Sequence, residues 1–392
     1  MGHPIYPIML KTFENNLPRR IRFGRGISLE LTEELRRMGK SRPFIVTDQG
    51  VKGAGLLAHV SGALSRAGIE AAVFDRTEAE PPFSCVAAAN VAARTASGVD
   101  VIVALGGGSV IDTAKLVAAT AQDGRDAALL AGIGKVGRRA LALVCIPTTS
   151  GTGSEATAVG VFTDSRTGMK VGVLDPCLVP DLVLLDPELT DKLPPLTTAA
   201  AGMDAIVHAL EAYIARSATP LARGLALEAA RSLGPALPAV CRDPGDKAAR
   251  DAMLVGSHLA GMAFANASCC AVHALALPLG GRFHIVHGVV TGCLAAETMR
   301  HNLPACGDDF ARFADALGWG AVAPGDFPGR IGELARSVGL QKALRSTDVP
   351  DASLAELARD AVANRRLMDP NPLPMTEAEA IGIYRRTLQA DA

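Results

Sequence analysis

The sequence predicts a two-domain protein in which an open, doubly wound parallel α/β domain is followed by an all-α domain. Three observations support this class. The chain of 392 residues exceeds the roughly 250–300 residues at which one hydrophobic core usually stops growing. Short apolar runs alternate with helix-like segments in the first half, and these runs stop after about residue 192. We therefore expect one domain over residues 1–192 and a second over residues 193–392.

The first domain is predicted to be a parallel α/β domain because its apolar runs end in turn residues, as buried parallel strands do at their carboxyl ends. Segments with apolar residues at a spacing near 3.6 separate them, which is the alternation of βαβ units wound on both faces of a sheet. A run at 20–23 alternates polar and apolar residues and predicts an edge strand or a hairpin. The main runs are PFIVTD (43–48), AAVF (71–74), VIVALGGGS (101–109), ALVCIPTTS (142–150) and DLVLLDP (181–187).

The second domain is predicted to be helical because long stretches rich in Ala and Leu replace the strand-like runs. Two of them are TTAAAGMDAIVHALEAYI and LARGLALEAARSLGPAL, in which good helix formers recur at helical spacing. We place the boundary in the segment DPELTDKLPP (186–195).

Charge and cysteine usage exclude several classes of function. The chain has 39 Lys and Arg against 40 Asp and Glu, so it lacks the basic surface expected for binding nucleic acid or an anionic membrane. Its N-terminus has no apolar targeting run, and no apolar stretch is long enough to span a bilayer. The eight cysteines form no C-x-x-C pair and are expected to be reduced core residues. We expect a cytoplasmic protein.

Two loops at the carboxyl ends of predicted strands favour a dinucleotide cofactor. Gly106–Ser109 links a strand to a helix, where backbone N–H groups and the helix N-terminus suit a phosphate. A second loop, PTTSGTGSE (147–155), follows the next strand and lies at the same sheet edge. Asp48 also ends a strand, where its carboxylate can accept from ribose hydroxyls and repel a 2′-phosphate, favouring NAD over NADP. Asp48 is equally an ordinary turn former, and the loops lack the G-x-G-x-x-G pattern.

Acidic and histidine side chains in the second half predict a metal site. Asp204 and His208 are four residues apart in a helical stretch and project from one face. The segment CAVHALALPLGGRFHIVHGVV adds His273, His284 and His287. Buried polar groups need partners, and one divalent ion would satisfy several of these at once. Each histidine alone is more often a core or surface residue, so the cluster carries the prediction. A set of one Asp and three His suits Fe²⁺ or Zn²⁺.

These motifs together resemble the iron-containing (group III) alcohol dehydrogenase family, which includes lactaldehyde reductase-like and propanediol dehydrogenase-like enzymes. The resemblance covers nearly the whole chain and implies a Rossmann-like N-terminal domain, a helical C-terminal domain as in dehydroquinate synthase, and an active site between them. The motifs are GGGSVIDTAK, PTTSGTGSEAT, DPELT, AAGMDAIVHALEAY, AGMAFANA and an HG pair at His287.

The resemblance also assigns residues. It implies NAD(H)-dependent hydride transfer between nicotinamide C4 and a small primary alcohol or aldehyde on the metal, with Fe²⁺ favoured over Zn²⁺, in a homodimer or larger homo-oligomer. Phe264 falls where the family lines its substrate pocket. The implied metal ligands are Asp204, His208, His273 and His287, and the implied cofactor residues are Asp48, Gly107, Gly108, Ser109, Thr148, Thr149, Thr152 and Lys170.

Several positions depart from the family pattern. Leu277 stands where many members have a histidine near the nicotinamide, so we expect His284 or the ribose hydroxyls to carry the proton. Val159 and Leu367 replace residues that are often polar, which favours simple apolar alcohols and aldehydes. Arg282 is either a recognition group for a carboxylate or phosphonate or a solvated loop residue.

Three other functions are compatible with parts of the sequence. A maleylacetate reductase-like oxo-acid reductase usually lacks the metal set, which this chain retains. A dehydroquinate synthase-like lyase needs several cations in the cleft, where only Lys170 and Arg282 are candidates. A non-catalytic NAD-binding protein would hold metal without turnover. The dehydrogenase is the favoured interpretation.

Overall fold

A computed structural model describes residues 12–390 except 166, 167, 169 and 346. The ends of the two predicted domains, residues 1–11 and 391–392, lie outside the described residues. So does the start of the N-terminal segment in which no targeting run is predicted.

Nine strands form two sheets within the described residues. The larger sheet has six parallel strands in the order β1-β9-β6-β4-β2-β3, and the smaller one has the order β5-β8-β7. The strands are β1 (Ile21–Phe23), β2 (Pro43–Val46), β3 (Ala72–Phe74), β4 (Val101–Gly106), β5 (Gly132–Ile133), β6 (Ala142–Pro147), β7 (Val159–Thr163), β8 (Lys170–Leu174) and β9 (Leu182–Leu185). The larger sheet contains every predicted strand. The run at 20–23 forms a parallel edge strand against β9 and not a hairpin.

Helices cover both faces of the larger sheet, as a doubly wound domain requires. Alternate residues of β4 point to opposite faces: Ile102 packs in one apolar cluster with α4 and α5, and Val103 packs in another with α1 and α3. The helices of this half are α1 (Leu31–Arg37), α2 (Gln49–Gly53), α3 (Leu56–Arg66), α4 (Phe83–Thr95) and α5 (Gly108–Thr120).

The smaller sheet was not predicted from the sequence. Its strands β7 and β8 pair antiparallel, and most of their residues are only partly buried. They therefore lack the continuous apolar run that identifies the central strands. This sheet places Lys170 at the first residue of β8.

The second half is helical, as predicted, and forms one large apolar core. The last strand of the larger sheet ends at Leu185 and the first long helix begins at Pro195. Its helices are α6 (Pro195–Ile214), α7 (Pro220–Arg242), α8 (Lys247–Ala267), α9 (Ala271–Phe283), α10 (His287–Ala316), α11 (Phe327–Ser337), α12 (Leu340–Arg345), α13 (Leu354–Ala363), α14 (Arg365–Met368) and α15 (Glu377–Gln389).

Across the part of the chain that the structure describes, no single helix has the length and apolar character to cross a membrane. In the same described part of the chain, α8 and α9 taken together, across a bend of 106°, meet that criterion by length and composition.

Candidate metal centre and cofactor cleft

The two glycine-containing loops leave the sheet side by side. Strands β4 and β6 pair in register up to Gly106 and Pro147, so both loops start at the same height of the carboxyl edge. The Thr148 N–H donates to the Gly106 carbonyl at 3.1 Å. A Cβ atom on Gly108 would lie 2.9 Å from the Thr152 side chain, so glycine is required for this close approach. Helix α5 begins at Gly108, which turns its N-terminus toward the loops.

The other predicted cofactor residues lie around these loops. Gly107 approaches the side chain of Thr149, where an added Cβ would be 3.4 Å away. The Ser109 hydroxyl, in the first turn of α5, accepts from the Glu80 N–H at 3.2 Å. Asp48 follows β2, the neighbour of β4, and caps α2 by accepting from the Val51 N–H at 2.8 Å. That bond fits its interpretation as a turn former, and its position at the sheet edge also fits a role toward a ribose.

Lys170 is held in an ion pair that the sequence did not indicate. Its ammonium lies 2.9 Å from the Glu80 carboxylate and donates to the Thr163 hydroxyl at 3.1 Å. The Thr163 hydroxyl in turn donates to the Glu80 carbonyl at 2.9 Å. Glu80 has a left-handed backbone, with φ at 52°, on the loop before α4. The positive charge of Lys170 is therefore matched by a neighbouring negative one.

Three histidines from three helices surround the carboxylate of Asp204. His208 lies one turn further along α6, His273 is in the first turn of α9, and His287 is the first residue of α10. Asp204 Oδ2 is 3.7 Å from His208 Nδ1, and Asp204 Oδ1 is 3.7 Å from His273 Nε2 and 3.8 Å from His287 Nε2. Two atoms bound tetrahedrally to one ion at about 2.1 Å are roughly 3.4 Å apart. The observed separations are close to that value.

The buried nitrogens of this cluster fit a metal ion. His208 Nδ1 and His273 Nε2 have no hydrogen-bond partner among the described residues, although both side chains are buried. Unpaired buried polar atoms are costly and rare in folded proteins. A divalent cation held by Asp204 and the three histidines would satisfy both nitrogens.

The charge states of the cluster suit a divalent ion. Burial lowers the pKa of His208 to about 3 and also lowers the pKa of His287, so both rings are neutral near pH 7. Burial raises the pKa of Asp204, but the surrounding histidines outweigh it and keep the pKa below its ordinary value. Burial also lowers the pKa of His273, yet the Cys269 sulfur and the Glu211 carboxylate raise it well above the ordinary value.

Glu211 orients His273 and was missed in the sequence. Its carboxylate accepts from His273 Nδ1 at 2.6 Å and from the N–H groups of Cys270 at 2.9 Å and Val272 at 2.7 Å. Donation from Nδ1 leaves the Nε2 lone pair free for a metal. The available signal was its position on α6, seven residues after Asp204 and three after His208, on the same helix face.

Two further contacts fix the cluster. The Thr291 hydroxyl donates to Asp204 Oδ1 at 2.8 Å. The predicted pocket residue Phe264, on α8, stacks on His208 with the ring centroids 4.4 Å apart. Phe264 thus covers one face of a candidate ligand.

The other candidates lie away from the cluster. His284 is exposed, has a left-handed backbone with φ at 54°, and ends α9 outside the group of donors around Asp204. Arg282 is paired with Glu356 at 2.6 Å and with Asp360 at 3.3 Å. Leu277 and Leu367 pack in or against the helical core.

Lys115 is a second residue that sequence reasoning missed. It is fully buried in α5, and its ammonium donates to the Ser154 carbonyl at 2.7 Å, the Thr157 hydroxyl at 2.8 Å and the Val159 carbonyl at 2.5 Å. These bonds fix the end of the second loop. A lysine three residues after Asp112 in an otherwise apolar helix was the available signal.

Two family models match the chain almost end to end. The model for iron-containing alcohol dehydrogenase matches residues 18–187, and the C-terminal model of the Fe-containing alcohol dehydrogenase family matches residues 198–388. The chain belongs to the iron-containing alcohol dehydrogenase family.

Individual relatives agree with this membership. Long-chain-alcohol dehydrogenase 1 of Geobacillus thermodenitrificans is 37% identical over 92% of this chain and 93% of its own. Sulfoacetaldehyde reductase of Bilophila wadsworthia is 32% identical over 95% and 98%. The crystal structure of a 1,3-propanediol oxidoreductase superposes with a TM-score of 0.91 at 31% identity, covering 96% of this chain and all of that one. A sulfoacetaldehyde reductase from Bifidobacterium kashiwanohense, solved in complex with NAD⁺, gives 0.89 at 27%, covering 97% and 100%.

Family membership confirms three predictions from the sequence. The fold is that of the iron-containing alcohol dehydrogenases. The activity is that of an oxidoreductase that interconverts alcohols and aldehydes. The metal of the family is iron.

Proposed function

We propose that this protein reduces small uncharged aldehydes and oxidises the corresponding primary alcohols, using NAD(H) and one Fe²⁺ held by Asp204, His208, His273 and His287. The observation that carries the proposal is the set of buried, unpartnered imidazole nitrogens around the Asp204 carboxylate. NAD(H) is supported by the loops at the sheet edge and by the solved relative that binds NAD⁺.

The second cofactor loop contacts the helices that carry the metal ligands and Phe264. His208 contacts the backbone of Gly151 in the second loop. A Cβ atom on Gly153 would lie 2.5 Å from Gly261 Cα in α8, and Gly153 itself has φ at +58°. Only glycine allows the loop to approach α8 this closely. A nicotinamide held by the loops would therefore lie beside the metal ligands.

The residues of the chain have distinct roles in the proposed reaction. A divalent ion bound at this centre supplies Lewis acidity toward an alcohol or carbonyl oxygen, and NAD(H) supplies or accepts the hydride. Thr291 and Glu211 hold Asp204 and His273 in the orientation that ligation requires. Phe264 covers His208 and excludes water from that side.

Asp48 and the N-terminus of α5 are proposed to bind different parts of the cofactor. The helix terminus and the glycine backbone favour the negative charge of a pyrophosphate. The carboxylate of Asp48 accepts from ribose hydroxyls and repels a 2′-phosphate. This supports NAD(H) over NADP(H).

The preference for uncharged substrates rests on the pairing of the two candidate cations. Lys170 faces Glu80, and Arg282 faces Glu356 and Asp360. Neither cation is left to attract a carboxylate or sulfonate. The sulfoacetaldehyde reductases among the relatives are named for an anionic aldehyde, and the paired cations argue against that substrate for this chain.

The proton released by an alcohol needs a route to water, and Leu277 offers none. The ribose hydroxyls of the cofactor are the proposed carrier, because His284 is exposed and does not join the cluster. A His284→Ala variant should then keep its turnover from pH 6 to pH 9. A loss of turnover confined to one end of that range would restore His284 as the relay.

Three organisational features complete the proposal. The domain division at residues 1–192 and 193–392 is supported by the gap between β9 and α6 and by the ranges of the two family models. A homodimer is supported by the edge strand β1, whose Ile21 and Phe23 are exposed. A cytoplasmic location is supported by eight free cysteines.

The test is a steady-state assay of NADH oxidation by anaerobically purified protein. Short aliphatic aldehydes, sulfoacetaldehyde and 4-oxo acids are compared at equal concentration. We expect the highest kcat/KM for the uncharged aldehydes. Higher values for an oxo acid would favour the maleylacetate reductase-like alternative, and binding of metal and NADH without turnover would favour a non-catalytic protein.

A further inference from the structure

A second group of metal donors overlaps the one already described. Asp204, His273 and His287 form one group of three, and His208, Cys269 and His273 form another. Within each group the three donor atoms lie within 4.8 Å of one another. His273 belongs to both groups. Cys269 is the single cysteine that takes part in such a group among the described residues.

The turn between α8 and α9 fixes the backbone around Cys269. Ser268 has a left-handed backbone, with φ at 88°, and its hydroxyl donates to the Cys269 carbonyl at 2.9 Å. On the other side, the Cys270 N–H donates to Glu211, the residue that also holds His273. Glu211 therefore anchors the cysteine turn and the histidine ring together.

Burial separates this donor group from a chance surface cluster. Cys269 is 7% exposed, and His208 and His273 are each 6% exposed. The unpartnered atoms His208 Nδ1 and His273 Nε2 belong to the two histidines of this same group. Buried nitrogens without partners point to a ligand that is bound between these residues.

The chemistry of the two groups differs. A carboxylate with imidazoles suits Fe²⁺ and Zn²⁺ alike, whereas a thiolate among the ligands favours zinc and softer ions over iron or manganese. We propose that Cys269 is a further metal ligand of this centre, which binds Zn²⁺ and similar soft ions together with His208 and His273. Binding forms one metal–sulfur bond, and the thiol proton passes to water.

This inference rests on the proposed function, because both groups draw on the same histidines. A thiolate ligand would also make the centre sensitive to zinc. The donor group of Cys269 includes neither Asp204 nor His287 but shares His273 with the other group, so Zn²⁺ held there competes with Fe²⁺ and lowers the aldehyde reductase activity. The identity of the bound metal then sets the activity of the protein.

The test is the absorption spectrum of the Co²⁺-substituted full-length protein. A thiolate ligand gives an intense near-ultraviolet charge-transfer band that oxygen and nitrogen ligands alone do not give. We expect the band in the wild-type protein, its loss in Cys269→Ser, and its retention in the matched control Cys270→Ser. The Cys270 thiol faces the Glu211 carbonyl at 3.7 Å and belongs to neither donor group. A wild-type spectrum without the band, or a band that survives in Cys269→Ser, would overturn the proposal.

Two further measurements test the Cys269 ligand even if the Cys269→Ser variant misfolds. X-ray absorption at the zinc edge of the wild-type protein should show a sulfur neighbour at about 2.3 Å. A shell of nitrogen and oxygen alone would overturn the proposal without any substitution. Cys269→Ser should also lose at least about tenfold in Zn²⁺ affinity, or roughly 1.4 kcal/mol, and much less in Mn²⁺ affinity.

The Asp204→Asn variant separates this inference from the proposed function. It removes the carboxylate and leaves the Cys269 group in place. We expect it to lose aldehyde reduction and to keep the Co²⁺ charge-transfer band. If the wild-type protein binds no divalent ion, both the proposed function and this inference fail. If it binds Co²⁺ without sulfur, only this inference fails.

Discussion

Replacing Glu211 by Gln should weaken metal binding although Glu211 is not itself a proposed ligand. Its carboxylate accepts three N–H groups, from His273 Nδ1, Cys270 and Val272. A Gln side chain offers one acceptor oxygen and one NH₂ group, so at least one of these donors would face another donor. If the NH₂ group faces His273, the ring must place its proton on Nε2, which removes the lone pair that a metal needs.

Two effects are expected, one on the free energy of unfolding and one on metal affinity. An unsatisfied buried donor costs about 1–3 kcal/mol, so the free energy of unfolding should fall by about that amount. Loss of a hydrogen-bond partner of a metal-binding histidine typically costs about 10–100-fold in metal affinity. We therefore expect Glu211→Gln to lower metal affinity by one to two orders of magnitude.

The assay is chelator competition at fixed pH, with a denaturant unfolding curve for each metal-free protein. Glu228→Gln is the matched control, because Glu228 is an exposed residue of α7 paired with Arg231. It should change neither quantity. A Glu211→Gln protein that unfolds normally and binds metal as tightly as the wild type would refute the role assigned to Glu211.

Three further changes test other parts of the structure. Glu80→Gln should free the charge of Lys170 and raise the kcat/KM ratio of sulfoacetaldehyde to propanal about fivefold, since such pairs contribute up to about 1 kcal/mol; an unchanged ratio would argue against charge selection at this position. Lys115→Met should destabilise the fold by about 3–5 kcal/mol, because it removes one partner of a buried pair, and should raise the KM for NADH by loosening the second loop; normal stability by thermal unfolding would contradict this. Burial raises the pKa of Asp175, but N–H donors from Gly137 and Cys177 outweigh it and hold the pKa below its ordinary value of 3.8. Because the folded pKa is lowered, this stabilisation is present above about pH 4 and is lost as the pH falls through the folded value. Asp175→Asn should therefore be less stable at pH 7 and show a smaller further loss on acidification; parallel stability curves for the two proteins would exclude this role.

The strands β2, β4, β6 and β9 of the larger sheet were predictable because they are buried on both faces and read as continuous apolar runs. The edge strand β1 was predictable from its alternation of polar and apolar residues instead. The smaller sheet was not, because its partly exposed strands carry no such run. The pair Asp204 and His208 was predictable from helical spacing alone. Spacing alone could not decide whether His284 or His287 joins this pair, since that depends on how the chain leaves α9. The family resemblance favoured His287. A left-handed residue at His284 ends that helix, and α10 then begins with His287 beside Asp204.

Residues that act through a neighbour were the hardest to predict. Glu211 reads as an ordinary polar residue of an amphipathic helix, yet it is fully buried against His273. Cys269 reads as one of eight core cysteines, and only the turn between α8 and α9 brings it to the metal ligands. Lys170 was expected near the cofactor by resemblance, but its pairing with Glu80 depends on a loop about 90 residues earlier in the chain.

The most direct measurement is the aldehyde reductase activity of metal-depleted protein during anaerobic titration with Fe²⁺. The structure predicts that activity is absent without metal and rises linearly until one Fe²⁺ is bound per chain. His287→Ala should bind less iron and remain inactive throughout the titration. Full activity in the metal-depleted protein, or no recovery after one equivalent of bound Fe²⁺, would contradict the assignment of Asp204, His208, His273 and His287 as the metal centre of this enzyme.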